Sequence, residues 1–241
     1  QGICVDAEGN NDTSFACEGN AAELIPNYQG IIFREAQPGY LAGIVAAHIS
    51  EAGVIGAVGG TNLPAVVAFR DGYINGAKSV NPDIEVLYQE SDPVPEVGFN
   101  DPERGAEIAG QMLDLGADVL FQIAGGTGVG VLEAACSGGA YGIGVDVDQA
   151  NSLPPQAAEC VVTSAEKKLQ DTVNSVIQST QDGTFQAGNV VYDLSNDPPG
   201  VGLSPFQEQY ADLLTPEMQA DLDAAVAGML DGSIDPGAAT E

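Results

Sequence analysis

Apolar and polar positions along this chain alternate between two periods. Short apolar runs of strand length occur at 28–33, 54–58, 84–88, 118–123, 141–145 and 160–163. Between them, apolar residues recur at the three-to-four spacing of amphipathic helices. Leu41, Ile44, Val45, His48 and Ile49 form one such stripe, opened by Gln37-Pro38-Gly39. Pro64, with Thr61 or Asn62 as cap, starts a second helix that runs to about Ser79. Asp101 caps a third, with Pro102 at its first position and Ile108, Ala109, Met112 and Leu113 on the buried face. Ser164 starts a helix with Leu169, Val173, Val176 and Ile177 on one face, and Met218, Leu222, Ala225, Val226 and Met229 mark the last. Residues 2–6 read as a short strand ending in Asp6, and the polar, glycine-bearing stretch 7–26 as a loop. Segments 190–192 and 201–203 read as short strands around a Pro-Pro-Gly turn. Strand and helix alternate throughout, which predicts an α/β protein with mostly parallel sheets.

The densest unit is 117–148, ADVLFQIAGGTGVGVLEAACSGGAYGIGVDVD. It predicts a strand, a glycine loop (Gly125-Gly126-Thr127-Gly128), a helix to about Cys136, a Gly138-Gly139 stop, and a second strand ending at Asp146 and Asp148. A crossover of this length joins parallel neighbours. In such sheets ligands bind outside the carboxyl ends of the strands. The glycine loop and Asp146 both lie at such ends.

Composition narrows the classes of function. The chain has 241 residues, enough to bury a core without a metal, and a net charge of −29 from 35 acidic and 6 basic residues. That balance excludes nucleic-acid binding through phosphate neutralisation and disfavours anionic membrane surfaces. No apolar run approaches the roughly 20 residues of a membrane span, and no signal-peptide pattern is present. Four cysteines fall in two sequence-local pairs, Cys4 with Cys17 and Cys136 with Cys160, without metal-ligand spacing. Two disulfides are the favoured reading, each contributing about 3 kcal/mol and implying an oxidising compartment. Four reduced, buried thiols are the alternative.

The glycine loop lacks the Lys-Ser/Thr of a phosphate loop and departs from the dinucleotide pattern. Beside it, Asp146 can accept two hydrogen bonds from vicinal sugar hydroxyls, or serve as a turn carboxylate. Lys167 and Lys168 fall in the predicted first turn of a helix, where a cation opposes the helix dipole. Lys167 can pair with Asp146 or donate to a ligand oxygen; Lys168 reads as a solvated lysine. The single histidine, His48, sits on an apolar stripe and reads as a packed core residue. No placed base or clustered metal-ligating acids point to an enzyme.

Several stretches together resemble a known family: YLAG (40–43), GAVGGTNLPAV, FRDGYINGAK (69–78), NPDIEV, FNDPERG (99–105), GADVLFQIAGGTGVGVLEAA, IGVDVDQ, TSAEKK and GVGLSPF. The chain resembles the basic-membrane-protein family, nucleoside-binding lipoproteins of ABC importers. The resemblance implies a type I periplasmic-binding-protein fold: two α/β lobes, three crossovers and a nucleoside in the cleft. It implies that 53–148 form the second lobe, 1–52 and 160–200 the remainder of the first, and 201–241 a C-terminal crossover and helix. Asp146 and Lys167 would contact the ribose hydroxyls, with Gly125 and Gly126 lining the sugar side. Phe99 and Phe121 would pack on the base, and Asp6 would make a polar contact to it. No cofactor or metal is implied. The partners would be a nucleoside and an ABC permease. The location would be extracytoplasmic, in the periplasm or at the cell surface, with a lipid anchor on a cysteine in a missing N-terminal part. Family members begin with further strand–helix units, so the first lobe is expected to be incomplete. Asn11-Asp12-Thr13-Ser14-Phe15 imitates a base-contacting motif of that missing part and reads as a coincidental loop. The competing reading is a structural or surface-assembly protein that reuses the fold.

Overall fold

The computed structural model describes residues 4–10 and 19–237; the 11–15 stretch and Cys17, hence the expected Cys4–Cys17 bridge, fall outside the described residues. In chain order the elements are a helical turn α1 (Ala21–Leu24), β1 (Gln29–Phe33), α2 (Ala36–Ile49), β2 (Val54–Gly59), α3 (Pro64–Val80), β3 (Glu85–Glu90), a short α4 (Pro95–Gly98) and α5 (Pro102–Asp114). They continue with β4 (Val119–Ile123), α6 (Thr127–Gly138), β5 (Tyr141–Asp146), α7 (Pro155–Ala158), β6 (Val161–Lys167), α8 (Leu169–Gln181) and β7 (Gly188–Tyr192). The last are β8 (Val201–Leu203), a 3₁₀ turn (Glu208–Leu213) and α9 (Pro216–Asp231). Among the described residues no helix is long and apolar enough to cross a membrane.

Six strands form one sheet in the order β3-β2-β4-β5-β6-β8, parallel except for β8, which runs antiparallel to β6. β1 and β7 make a separate two-stranded parallel sheet. Successive side chains of a strand point to opposite faces. Val119, Phe121 and Ile123 of β4 therefore join the apolar layer that holds Leu41, Ile44, Phe69, Tyr73, Met218 and Leu222. Leu120 faces the other way, into the layer of Ile108, Met112, Val131 and Ala135 from α5 and α6. The central strands, covered on both faces, read as continuous apolar runs for this reason.

The α2–α3 contact is glycine-mediated. A methyl group at Gly43 would stand 2.1 Å from the Tyr73 carbonyl oxygen, and one at Gly76 1.9 Å from that of Tyr40. The α5 cap forms as expected, with the Asp101 carboxylate accepting from Arg104 N at 3.0 Å. The Cys136–Cys160 disulfide is present and ties the end of α6 to the start of β6.

Three expectations change. The first concerns 164–167, where a helix start was expected. These residues continue β6, because their backbone is paired on both sides, Ala165 with Val145 and with Leu203, and Glu166 with Asp146 and with Gly202. Two ladders outweigh a capping serine, and Ser164 Oγ instead accepts from Gln149 N. The second concerns the lobe boundaries. β6 is a strand of the large sheet, so 160–200 does not belong to the first lobe as a block. α2, within 1–52, likewise packs on the large sheet's core rather than on β1. The third concerns α8. Its stripe of Leu169, Val173 and Ile177 is exposed at 43%, 48% and 51%. Helical spacing signals a stripe but not what covers it.

The chain passes between the two sheets three times, from β1 into α2, from β6 into α8, and from β7 to β8. Hydrogen bonds pin these passages together. Gln37 Oε1 accepts from Leu194 N at 2.9 Å, Lys168 N donates to Gly200 O at 2.9 Å, and Arg34 N donates to Tyr192 O at 3.2 Å.

Candidate functional site at the strand carboxyl ends

The register of the large sheet brings its strand ends to one level. Gly59 pairs with Ile123, Phe121 with Ile143, and Asp146 with Glu166. Gly60, Gly125, Asp146 and Lys167 therefore follow one another across four adjacent strands, spaced about 4.8 Å per strand.

Asp146 and Lys167 meet at this edge, with Nζ 2.9 Å from Oδ1. The lysine side chain is 19% exposed and the aspartate 45%, so the pair opens to solvent through the carboxylate. The Lys167 ammonium also lies 5.8 Å from the Phe69 ring centroid, at cation–π range. Lys167 ends β6 rather than opening a helix, so the helix-dipole argument does not apply to it. Lys168 is not a free surface lysine either: it pairs with the nearly buried Glu166.

Asp146 has φ +69°, the one positive value among non-glycine residues in the described chain. Val147 N donates to Val145 O at 2.8 Å across it. An i-to-i+2 bond with positive φ at the centre is the pattern of a γ-turn of the rare, strained kind. Such strain persists only where surrounding structure holds it.

The glycine loop shapes the neighbouring space. Gly125 adopts φ +55°, where a side chain would be strained. A methyl at Gly126 would stand 2.9 Å from the Phe99 carbonyl oxygen, and one at Gly60 would overlap the Phe99 ring at 2.3 Å. Phe99, half-buried, thus sits between the Gly60 and Gly125 turns, and its carbonyl accepts from Thr127 N at 3.3 Å. Gly125, Gly126 and Phe99 form one cluster beside the β4 end.

Two other candidates lie elsewhere. Phe121, expected on the base, is fully buried, with ring centroids 5.1 Å from Tyr73 and 6.2 Å from Phe69. Its alternation on β4 points it into the helix layer, so it is a core residue that offers no face to a ligand. Asp6 heads a tight turn, where Oδ1 accepts from Glu8 N at 3.0 Å and Asn10 N at 2.8 Å. His48 is not simply packed: its Nε2 lies 2.8 Å from Asp221 Oδ2 of α9.

The sequence reading missed Gln122 and Gln149, both buried behind the site. Gln122 Nε2 donates to Gln149 Oε1 at 2.5 Å. The signal was present: a glutamine within the apolar β4 run, and the last residue of GVDVDQ.

A hollow of 690 Å³ at the opposite, amino-terminal end of the sheet is lined by Asp118, Tyr141, Glu159 and Tyr210. Its Asp118 carboxylate is spent on Ser50 Oγ, Glu51 N and Ala52 N, all within 2.7 Å, so that acid holds a turn. The carboxyl edge, with an ion pair open to solvent, a left-handed aspartate and a glycine loop, is the better candidate.

A family model described as "ABC transporter substrate-binding protein PnrA-like", Bmp, matches residues 5–220. The chain belongs to the Bmp family. An ABC transporter nucleoside-binding protein, BmpA, of Lactococcus lactis subsp. cremoris is 30% identical over 242 residues, covering 95% of this chain and 65% of that protein. Basic membrane protein B of Borreliella burgdorferi is 38% identical over 157 residues, covering 64% of this chain and 43% of its own. The chain thus spans from under half to about two thirds of the length of these curated relatives. A solved ABC-transporter solute-binding protein from Conexibacter woesei superposes with a TM-score of 0.73 at 28% identity, over 96% of this chain and 71% of that one. The fold is that of the type I periplasmic-binding proteins, as the Bmp resemblance implied.

Proposed function

We propose that this Bmp-family chain is the ligand-binding part of an extracytoplasmic receptor that captures a nucleoside and passes it to an ABC permease. The observation that carries the reading is the Asp146–Lys167 pair at 2.9 Å, open to solvent beside the Gly125-Gly126 loop and Phe99. A carboxylate accepts two hydroxyl protons and an ammonium donates to a hydroxyl oxygen, the complement of a vicinal diol. The loop's missing side chains let a sugar approach the backbone, and Phe99 supplies an apolar surface toward the base. The absence of a Lys-Ser/Thr after the loop argues against a phosphate. The printed name of the Lactococcus relative, a nucleoside-binding protein, points the same way. Binding requires no bond to form or break, only closure of the ligand between two bodies joined by crossovers. The location would be outside the cytoplasm.

Isothermal titration with guanosine, adenosine and a free pentose tests the reading. Heat with a nucleoside is expected, and no heat with any of them would sink it. Asp146→Ala removes charge-assisted hydrogen bonds and should weaken nucleoside binding by about tenfold to a hundredfold. Unchanged affinity would remove Asp146 from the ribose. A surface-assembly role draws on the exposed Leu169, Val173 and Ile177 stripe of α8. Concentration-dependent association in sedimentation, together with silent titrations, would favour that role.

A further inference from the structure

Behind the candidate site, two side-chain amides join the loops that carry it. Gln122 Oε1 accepts from Ala124 N at 2.9 Å, directly before the glycine loop. Gln149 Oε1 accepts from Val145 N at 2.9 Å, the residue that opens the turn at Asp146. The two amides are themselves bonded, Gln122 Nε2 to Gln149 Oε1. A third contact, Gln149 N to Ser164 Oγ at 3.1 Å, fastens the arrangement to β6, three residues before Lys167. Gln122 is fully buried and Gln149 is 8% exposed, so no water competes freely for these groups. The chain makes room for them. A methyl at Gly128 would stand 1.8 Å from Gln122 Oε1, and one at Gly144 2.4 Å from Ser164 Oγ and 2.9 Å from Gln149 Cβ.

We propose that Gln122 and Gln149 are positioning residues for the ligand. Their buried amide pair fixes the glycine loop relative to Asp146 and holds Asp146 in its strained turn, with the carboxylate toward Lys167. Neither glutamine faces the ligand. The inference rests on the nucleoside reading for its effect on affinity, while its effect on the turn stands independently. Without the amide acceptor, Val145 N loses its partner inside a low-dielectric interior, and the aspartate at φ +69° loses one of the restraints that oppose relaxation to an ordinary conformation.

Gln149→Met keeps the side-chain length and removes the acceptor; Gln149→Glu restores an acceptor for both donors. Amide hydrogen exchange of the ligand-free protein reads the turn directly. In Gln149→Met, Val145 N–H, which loses its acceptor, should exchange about tenfold faster, the worth of one lost hydrogen bond, and Val147 N–H should exchange faster as the turn relaxes, with β2 amides unchanged. Gln149→Glu should recover protection. In titration, nucleoside affinity should fall about tenfold in Gln149→Met and recover in Gln149→Glu. Unchanged Val147 exchange, or an equal loss of protection in β2, would overturn the proposal. So would loosened exchange with undiminished nucleoside binding. If the wild type binds no nucleoside, the receptor reading fails by itself, and the exchange comparison still decides whether the amide pair holds the turn.

Discussion

At the scale of single residues, the site depends on where a strand ends rather than on residue type alone. The sequence singled out Asp146 as an acid closing an apolar run and Lys167 as a cation opposing a helix dipole, and the second argument falls because Lys167 ends a strand. Their 2.9 Å contact was not legible there, since it needs β5 and β6 side by side in register. Phe121 illustrates the opposite failure. Its type suits a base-stacking residue, but alternation along β4 sends it into the core. The same core holds Tyr73, fully buried, whose hydroxyl has no hydrogen-bond partner among the described residues and whose pKa burial pushes up. An unpartnered buried hydroxyl costs about 1–3 kcal/mol. Tyr73→Phe should therefore raise unfolding stability by about 1 kcal/mol in denaturant titration. A loss of stability would mean that the hydroxyl has a partner after all.

At the scale of elements, α2 and α3 pack closely, their helix backbones meeting through glycine. Gly76 on α3 faces the Tyr40 carbonyl with no space for a methyl, the added atom standing 1.9 Å away. Gly76→Ala removes helix-disfavouring glycine, which by itself would stabilise by about 1 kcal/mol. The forced separation of two packed helices outweighs it, typically costing about 1–3 kcal/mol. Net destabilisation in thermal unfolding is expected, and a stabilised variant would refute the close approach. α2 and α3 were both visible from their apolar spacing. Their partnership was not, because a glycine in a sequence does not announce which neighbour comes near. Ser164 marks the same limit: its local signal is a helix cap, yet pairing with β5 and β8 kept it in a strand.

At the scale of the whole molecule, 35 acidic against 6 basic residues give a net charge of −29, whose self-repulsion opposes the compact state. Raising ionic strength from about 0.01 M to about 1 M shortens the screening length from about 30 to about 3 Å. The melting temperature should rise with sodium chloride over that range; a fall would show that the exposed pairs Asp146–Lys167 and Arg104–Glu107 matter more than the net repulsion. Among the described residues the chain crosses between the two sheets in three passages, cross-linked by Gln37, Lys168 and Gly200, and Val201 of β8 packs with Phe33 and Tyr192 of the small sheet. Lys167 ends β6 and so lies beside one of these passages.

The sequence alone determined the α/β class, the parallel crossover from β4 to β5, the glycine loop and the family. Each of these rests on local periodicity, turn chemistry or contiguous motifs, and local information is what a linear chain carries. Only the tertiary structure decided that β6 belongs to the large sheet, that Phe121 is core, that α8 exposes its stripe, and that Gln122 and Gln149 meet. Those outcomes depend on strand order and register, which pair residues 27 positions apart as tightly as neighbours. The turn at Asp146 joins the two levels: the motif supplied the acid, and buried amides brought by folding gave it a direction.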